Sequence, residues 1–236
     1  MFGRNKVAML LAEFLGVATL TSVVYTIVGR TSFPLFAALA AGGTVAVFTL
    51  TVGAFSGAHL NPAISLGLWS IRKISTKHAV ANIAAQFLGG LAAWTLLKYF
   101  LGHSLDSVAG ATFSWKVFVA EALGTMVFAF GFASAILEKF EATKAAGVIG
   151  ASLFIGILIA SLASNAVVNP AVAVGIQSWS LAYATAPLLG GLVGMNVYGL
   201  VFAEESTFKM AARTVKKTTK LKKAPAKKKP VARKKK

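Results

Sequence analysis

The sequence predicts an all-α membrane protein: six transmembrane helices plus two re-entrant half-helices, built as an inverted repeat. Three observations predict it. Hydrophobic residues make up 56% of the 236 and fall in long runs. Asn61-Pro62-Ala63 returns as Asn169-Pro170-Ala171, 108 residues later. Ala12-Glu13-Phe14-Leu15-Gly16 returns as Ala120-Glu121-Ala122-Leu123-Gly124 at the same offset. Two landmarks with one offset mark an internal duplication, and duplicated apolar halves are a sign of membrane transport folds.

The first apolar block, roughly 7–29, is too long for a signal-peptide core and no small-residue cleavage site follows it. It reads as an uncleaved first span. Further full-length blocks lie near 33–55, 80–101, 115–136, 145–163 and 182–203. Each is long enough for a bilayer core that takes ~20 apolar residues to cross. Two shorter stretches, 62–71 and 170–178, each follow an Asn-Pro-Ala. Ten helical residues rise ~15 Å, about half of that core, so neither stretch spans alone. Three full spans per half is an odd number. The second half therefore enters the membrane from the opposite side, and the two half-helices point their N-termini at each other. The expected organisation is a membrane domain over 1–208, with repeats at about 7–101 and 115–203, and a tail over 209–236. Glycine pairs at Gly89-Gly90 and Gly190-Gly191 are expected to let helices approach closely.

Charge agrees with this topology. The chain carries 24 basic and 7 acidic residues, but 14 of the basic ones lie in 209–236, which has no acid. Of the ten in the body, Arg4, Lys6, Arg72, Lys73, Lys77, Lys139 and Lys144 fall on the side of the two termini. Arg30, Lys98 and Lys116 fall on the other. The positive-inside rule places both termini in the cytoplasm of a multi-pass cell-membrane protein. The tail is rich in Lys, Ala, Pro and Thr, lacks aromatic residues, and is expected to be disordered. Its chemistry favours anionic lipid headgroups, at ~1 kcal/mol per basic residue near the surface. Non-specific nucleic-acid binding is the weaker reading, since nothing in the tail could stack on bases.

Proline costs nothing at the first helical position, and asparagine before it is a good N-cap. Taken singly, Asn-Pro-Ala is therefore only a plausible helix start. Its repetition ahead of two half-length helices gives it meaning. Backbone at membrane depth must be buried in protein or line a water-filled cavity. The carbonyls of the preceding loops, Gly57, Ala58, His59 and Leu60 in one half and Asn165, Val167 and Val168 in the other, are expected to act as acceptors in a pore. The Asn61 and Asn169 amides are expected to donate at its centre. Helix N-termini carry roughly half a positive charge each, so two facing one lumen disfavour cations. A carboxylate within a span costs ~2.5–3.5 kcal/mol, and such residues face the bundle interior. The symmetric placement of Glu13 and Glu121 favours a bracing role, each accepting hydrogen bonds from the loop of its own half.

These motifs resemble those of the aquaporin family, the major intrinsic proteins, over residues 7 to about 203. The resemblance rests on Ser56-Gly57-Ala58-His59-Leu60-Asn61-Pro62-Ala63, the second Asn-Pro-Ala, both Ala-Glu-x-x-Gly segments, and Pro187 followed by Gly190-Gly191. It implies six helices with two re-entrant half-helices, one pore per subunit, a homotetramer, and loop-bracing roles for Glu13 and Glu121. His59 resembles the family's histidine beside the first motif, in a backbone-bracing or pore-lining role. The departures are at the outer constriction. Most members follow the second motif with arginine, where this chain has Val172. The other constriction positions fall, in register, at Ala41, Ile157 and Ala166. Water-selective members usually have a bulky aromatic at the first and histidine at the second. Glycerol-conducting members usually have aspartate where this chain has Ala173. The filter is expected to be wider and less polar than in a strict water channel, with Asn165 the neighbouring polar side chain.

The leading expectation is thus a passive channel for water and small neutral solutes, with glycerol, urea, ammonia and hydrogen peroxide as candidates. A non-conducting scaffold that works through the basic tail is the alternative. A proton-coupled transporter comes after it, since only Glu13 and Glu121 offer intramembrane charge. No cofactor or metal is expected: cysteine is absent and the three histidines are scattered. The same scarcity of nucleophiles and bases argues against an enzyme.

Overall fold

The computed structural model describes residues 4–28, 34–110 and 112–203. The described chain is helical, with no strand. In order, the elements are α1 (Arg4–Val28), α2 (Pro34–Ser56), α3 (Pro62–Ser70), α4 (Thr76–Leu101), α5 (Trp115–Leu137), α6 (Ala142–Ala160), α7 (Pro170–Gly175) and α8 (Leu181–Val197). A π-helical turn, Tyr198–Phe202, extends α8. Six of these helices are long and apolar enough to cross a membrane, and the short α3 and α7 are the two that follow Asn-Pro-Ala. The Lys-rich tail lies outside the described residues.

Capping accounts for the ends that hydropathy misplaces. Helix α4 starts at Thr76 because the Ser75 hydroxyl accepts from the His78 N–H, and the polar first turn hides that start. Helix α6 starts at Ala142, not near 145. The Glu141 carboxylate accepts from the Thr143 and Lys144 N–H groups, which hold its carboxyl below the usual carboxylate range. Helix α7 stops at Gly175 instead of running on to 178, and Gln177 turns the chain with φ +60°.

Helix packing follows the duplication. Contacts pair α1 with α2 and α4 in the first half, and α5 with α6 and α8 in the second. Helices α2 and α6 join the halves through Gly42 and Gly150, themselves 108 residues apart. A Cβ at Gly42 would lie 2.6 Å from the Gly150 carbonyl oxygen, and one at Gly150 would lie 2.7 Å from that of Gly42. The pseudo-two-fold axis thus passes where no side chain fits. Gly89 faces the Phe14 carbonyl as Gly190 faces that of Ala122, and Gly90 faces the Ala171 carbonyl as Gly191 faces that of Ala63. These glycines are packing sites, where lipid gives helices no hydrophobic drive to associate. They are 101 residues apart, so the second half reaches its glycine pair seven residues sooner.

Candidate functional site

Helices α3 and α7 begin against one another inside the bundle. Asn61 Oδ1 accepts from the Ala63 N–H at 2.9 Å, and Asn169 Oδ1 accepts from the Ala171 N–H at 3.1 Å. Each carbonyl oxygen thereby caps its own half-helix, leaving the amide nitrogen to reach across. Asn61 Nδ2 donates to the Val168 carbonyl at 2.8 Å, and Asn169 Nδ2 donates to the Leu60 carbonyl at 2.8 Å. The two tips are stitched together by reciprocal bonds. One of the two N–H donors on each asparagine is therefore committed to protein, and so are two of the loop carbonyls expected to face a pore.

The loops leading to those tips share one unusual backbone. Ala58 and Leu60 have φ of +47° and +48°, and their equivalents Ala166 and Val168 have +52° and +46°. Non-glycine residues hold this left-handed region only where their surroundings enforce it. Here the enforcing groups are the buried carboxylates. Glu13 Oε1 accepts from the His59 N–H at 3.0 Å and Oε2 from the Leu60 N–H at 2.8 Å. Glu121 does the same for the Val167 and Val168 N–H groups, at 3.0 and 2.6 Å. Ser56 and Ser164 complete each loop, their hydroxyl oxygens accepting from the Ala58 and Ala166 N–H groups at 2.9 Å.

Outside this shared frame the halves differ. In the first, Gln86 Nε2 donates to Glu13 Oε2 at 2.6 Å and to Ser65 Oγ at 2.9 Å. His59 Nδ1 lies 3.0 Å from Ser65 Oγ and 3.1 Å from Asn82 Nδ2, and its ring stacks near His78. Gln86, Asn82 and Ser65 belong to the site although the motifs did not point to them. The two amides on α4 were nevertheless visible as polar residues inside a span, which is a signal for an interior position. In the second half, the Asn165 N–H donates to Tyr183 Oη at 2.9 Å. Asn165 Nδ2 donates to the Val108 carbonyl and to Ser178 Oγ, both at 2.9 Å. Asn165 therefore ties its loop to the segment after α4 and supplies no donor at the position of Val172. No group of three His, Asp or Glu side chains that could hold a metal forms among the described residues.

A cavity of about 400 Å³ runs from the exposed end of α1 at Val28 down to the buried Asn61 and Asn169. Ala41, Ile157, Ala166 and Val172 all line it, and so do His59, Leu60 and Val167. Among the described residues that line it, none is Lys, Arg, Asp or Glu. Gly57, Ala58 and Val168 lie in the loops behind it. Pro62, Ala63, Pro170 and Ala171 form the buried first turns of the half-helices.

The sequence profile described as Major intrinsic protein matches residues 4–202. The chain belongs to this family. It is 30% identical over 190 residues to Aquaporin Z of Photorhabdus laumondii, covering 71% of this chain and 82% of the relative. It is 29% identical over 221 residues to Aquaporin NIP6-1 of Arabidopsis thaliana, covering 84% and 68%. The X-ray structure of the aquaglyceroporin from Plasmodium falciparum superposes with a TM-score of 0.71 over 87% of this chain and 99% of that one, at 20% identity. That likeness speaks to the fold. As a major intrinsic protein, the chain is a multi-pass membrane channel for water or small solutes, a class of channels and not of enzymes.

Proposed function

We propose that this major intrinsic protein passes water together with larger neutral solutes, of which glycerol, urea, ammonia and hydrogen peroxide are the candidates. The observation that carries the reading is the cavity that reaches Asn61 and Asn169, is lined by Ala41, Ile157, Ala166 and Val172, and has no charged side chain among its described lining residues. In this reading the four residues are the selectivity filter and the two asparagines the pore centre. Three filter side chains are alanine or valine, so the bore admits more than water. With no arginine at 172, cation exclusion falls to the two asparagines and the N-terminal ends of α3 and α7. Glu13 and Glu121 have their oxygens occupied by loop N–H groups, which supports a bracing role over proton relay.

In this reading the basic loops face the cytoplasm, the channel works in the cell membrane as a homotetramer, and the lysines of the tail bind anionic lipid headgroups. Burial and the nearby charge of Lys139 lower the Lys73 pKa, which fits a side crowded with positive charge. A scaffold working only through its tail would have no use for two facing asparagines at the end of a cavity. Stopped-flow swelling of proteoliposomes decides the matter. Water, glycerol and urea are each measured against protein-free vesicles. Faster water entry together with faster entry of at least one solute is the expected result, and vesicles indistinguishable from protein-free ones would remove the proposal.

A further inference from the structure

Among the described residues, the wall of the cavity outside the asparagines has hydrogen-bond acceptors to spare and no free donor. Each polar group in that stretch can be followed. The Ser161 hydroxyl donates to the Leu158 carbonyl at 2.7 Å. That of Ser164 donates to Glu121 Oε1 at 2.7 Å. Both amide hydrogens of Asn165 are spent on Val108 and Ser178. The backbone N–H groups of residues 165 to 168 go to Tyr183 Oη, Ser164 Oγ and the two Glu121 oxygens. The carbonyl oxygens of Asn165, Ala166 and Val167 meet no donor among the described residues. The remaining wall there, including Ala41, Ile157 and Val172, is apolar. Among the described residues, donors return at the level of Asn61 and Asn169, whose second amide hydrogens are unspent, and of His59, which also lines the cavity and whose Nδ1 faces the Asn82 amide.

We infer that the channel selects uncharged solutes in which every heteroatom carries its own hydrogen. Such solutes can turn an N–H or O–H toward the free carbonyls as they shed water. An amide carbonyl oxygen carries no hydrogen and must cross the same stretch with its acceptor unmet, which is the costly case. Ammonia, hydrogen peroxide, glycols and glycerol fall in the favoured class. Urea and simple amides fall outside it, despite their small size. The inference rests on the proposed function and divides its list of candidates by chemistry instead of by bore.

Ethylene glycol and acetamide, similar in size, are the probe pair. In proteoliposomes of the full chain, after subtracting protein-free vesicles, ethylene glycol is expected to enter faster by about tenfold or more. Val172→Thr keeps the side-chain volume and adds a hydroxyl, and should raise acetamide entry relative to ethylene glycol. Val172→Ile, which adds no donor, should leave the preference for the glycol in place. Equal entry of the two solutes in the unmodified protein overturns the inference, as does a preference that Val172→Ile abolishes as readily as Val172→Thr. Water entry is recorded in the same vesicles. Its presence with equal glycol and acetamide entry defeats this inference alone, whereas its absence defeats the channel reading and this inference with it.

Discussion

Replacing Glu121 with leucine is expected to abolish conduction and to lower the melting temperature of the detergent-solubilised protein sharply. The carboxylate accepts from the Val167 and Val168 N–H groups and from the Ser164 hydroxyl. Leucine strands the two N–H groups in the protein interior and leaves the Ser164 hydroxyl only its other acceptor, the Ala160 carbonyl at 2.9 Å. At ~1–3 kcal/mol for each unmet buried group, the loss from the two is about 4 kcal/mol. The same loop holds Ala166 and Val168 in the left-handed region, and that strain persists only while neighbouring groups over-determine it. Freed of its brace, the loop should relax and withdraw the Val168 carbonyl from Asn61. Glu13→Leu should act alike on the first loop, with Gln86 losing its partner as well. Glu121→Gln keeps one acceptor oxygen and should fall between. A leucine variant that melts and conducts like the parent would show that the carboxylates do not hold the loops.

Val172→Arg is the second large effect. Val172 is buried on the cavity wall at the first turn after Asn169. Arginine is longer by several atoms, always charged, and brings five donors. It should narrow the bore and present a fixed positive charge to it. Glycerol entry is expected to fall by roughly tenfold or more, equivalent to about 1.4 kcal/mol of added barrier. Water entry should fall less, since water is smaller and can accept from the guanidinium. Parallel swelling measurements on one preparation check the ratio. Equal reductions in water and glycerol would argue that residue 172 does not set the filter.

Much of this architecture was legible because the duplication writes its geometry in plain intervals. The 108-residue offset that joins Asn61 to Asn169 and Glu13 to Glu121 also joins Gly42 to Gly150 at the helix crossing, and Ala58 and Leu60 to Ala166 and Val168. Half-length helices after each Asn-Pro-Ala followed from counting residues against bilayer thickness. Other features were not legible for physical reasons. Helix ends at Ser75 and Glu141 are set by single side-chain caps, which an apolar-run criterion passes over. The reciprocal bonds between each asparagine and the opposite loop are tertiary, and no local pattern encodes which of two amide hydrogens is spent. The ties that differ between halves, Gln86 and Ser65 on one side and Tyr183 and Ser178 on the other, lie where the halves have diverged. Asn165 was visible as a polar neighbour of the filter. Only its bonds reveal that its amide hydrogens are spent on Val108 and Ser178.

The chain contains no cysteine, which permits a direct test of whether solute passes through the cavity within a single subunit. Ala166→Cys introduces one thiol on a residue that lines the cavity. Water entry into vesicles holding this variant is measured before and after a mercurial, and again after excess thiol. The account predicts block by the mercurial, recovery with thiol, and no response in the parent protein. Undiminished water entry with the thiol shown to be labelled would contradict it.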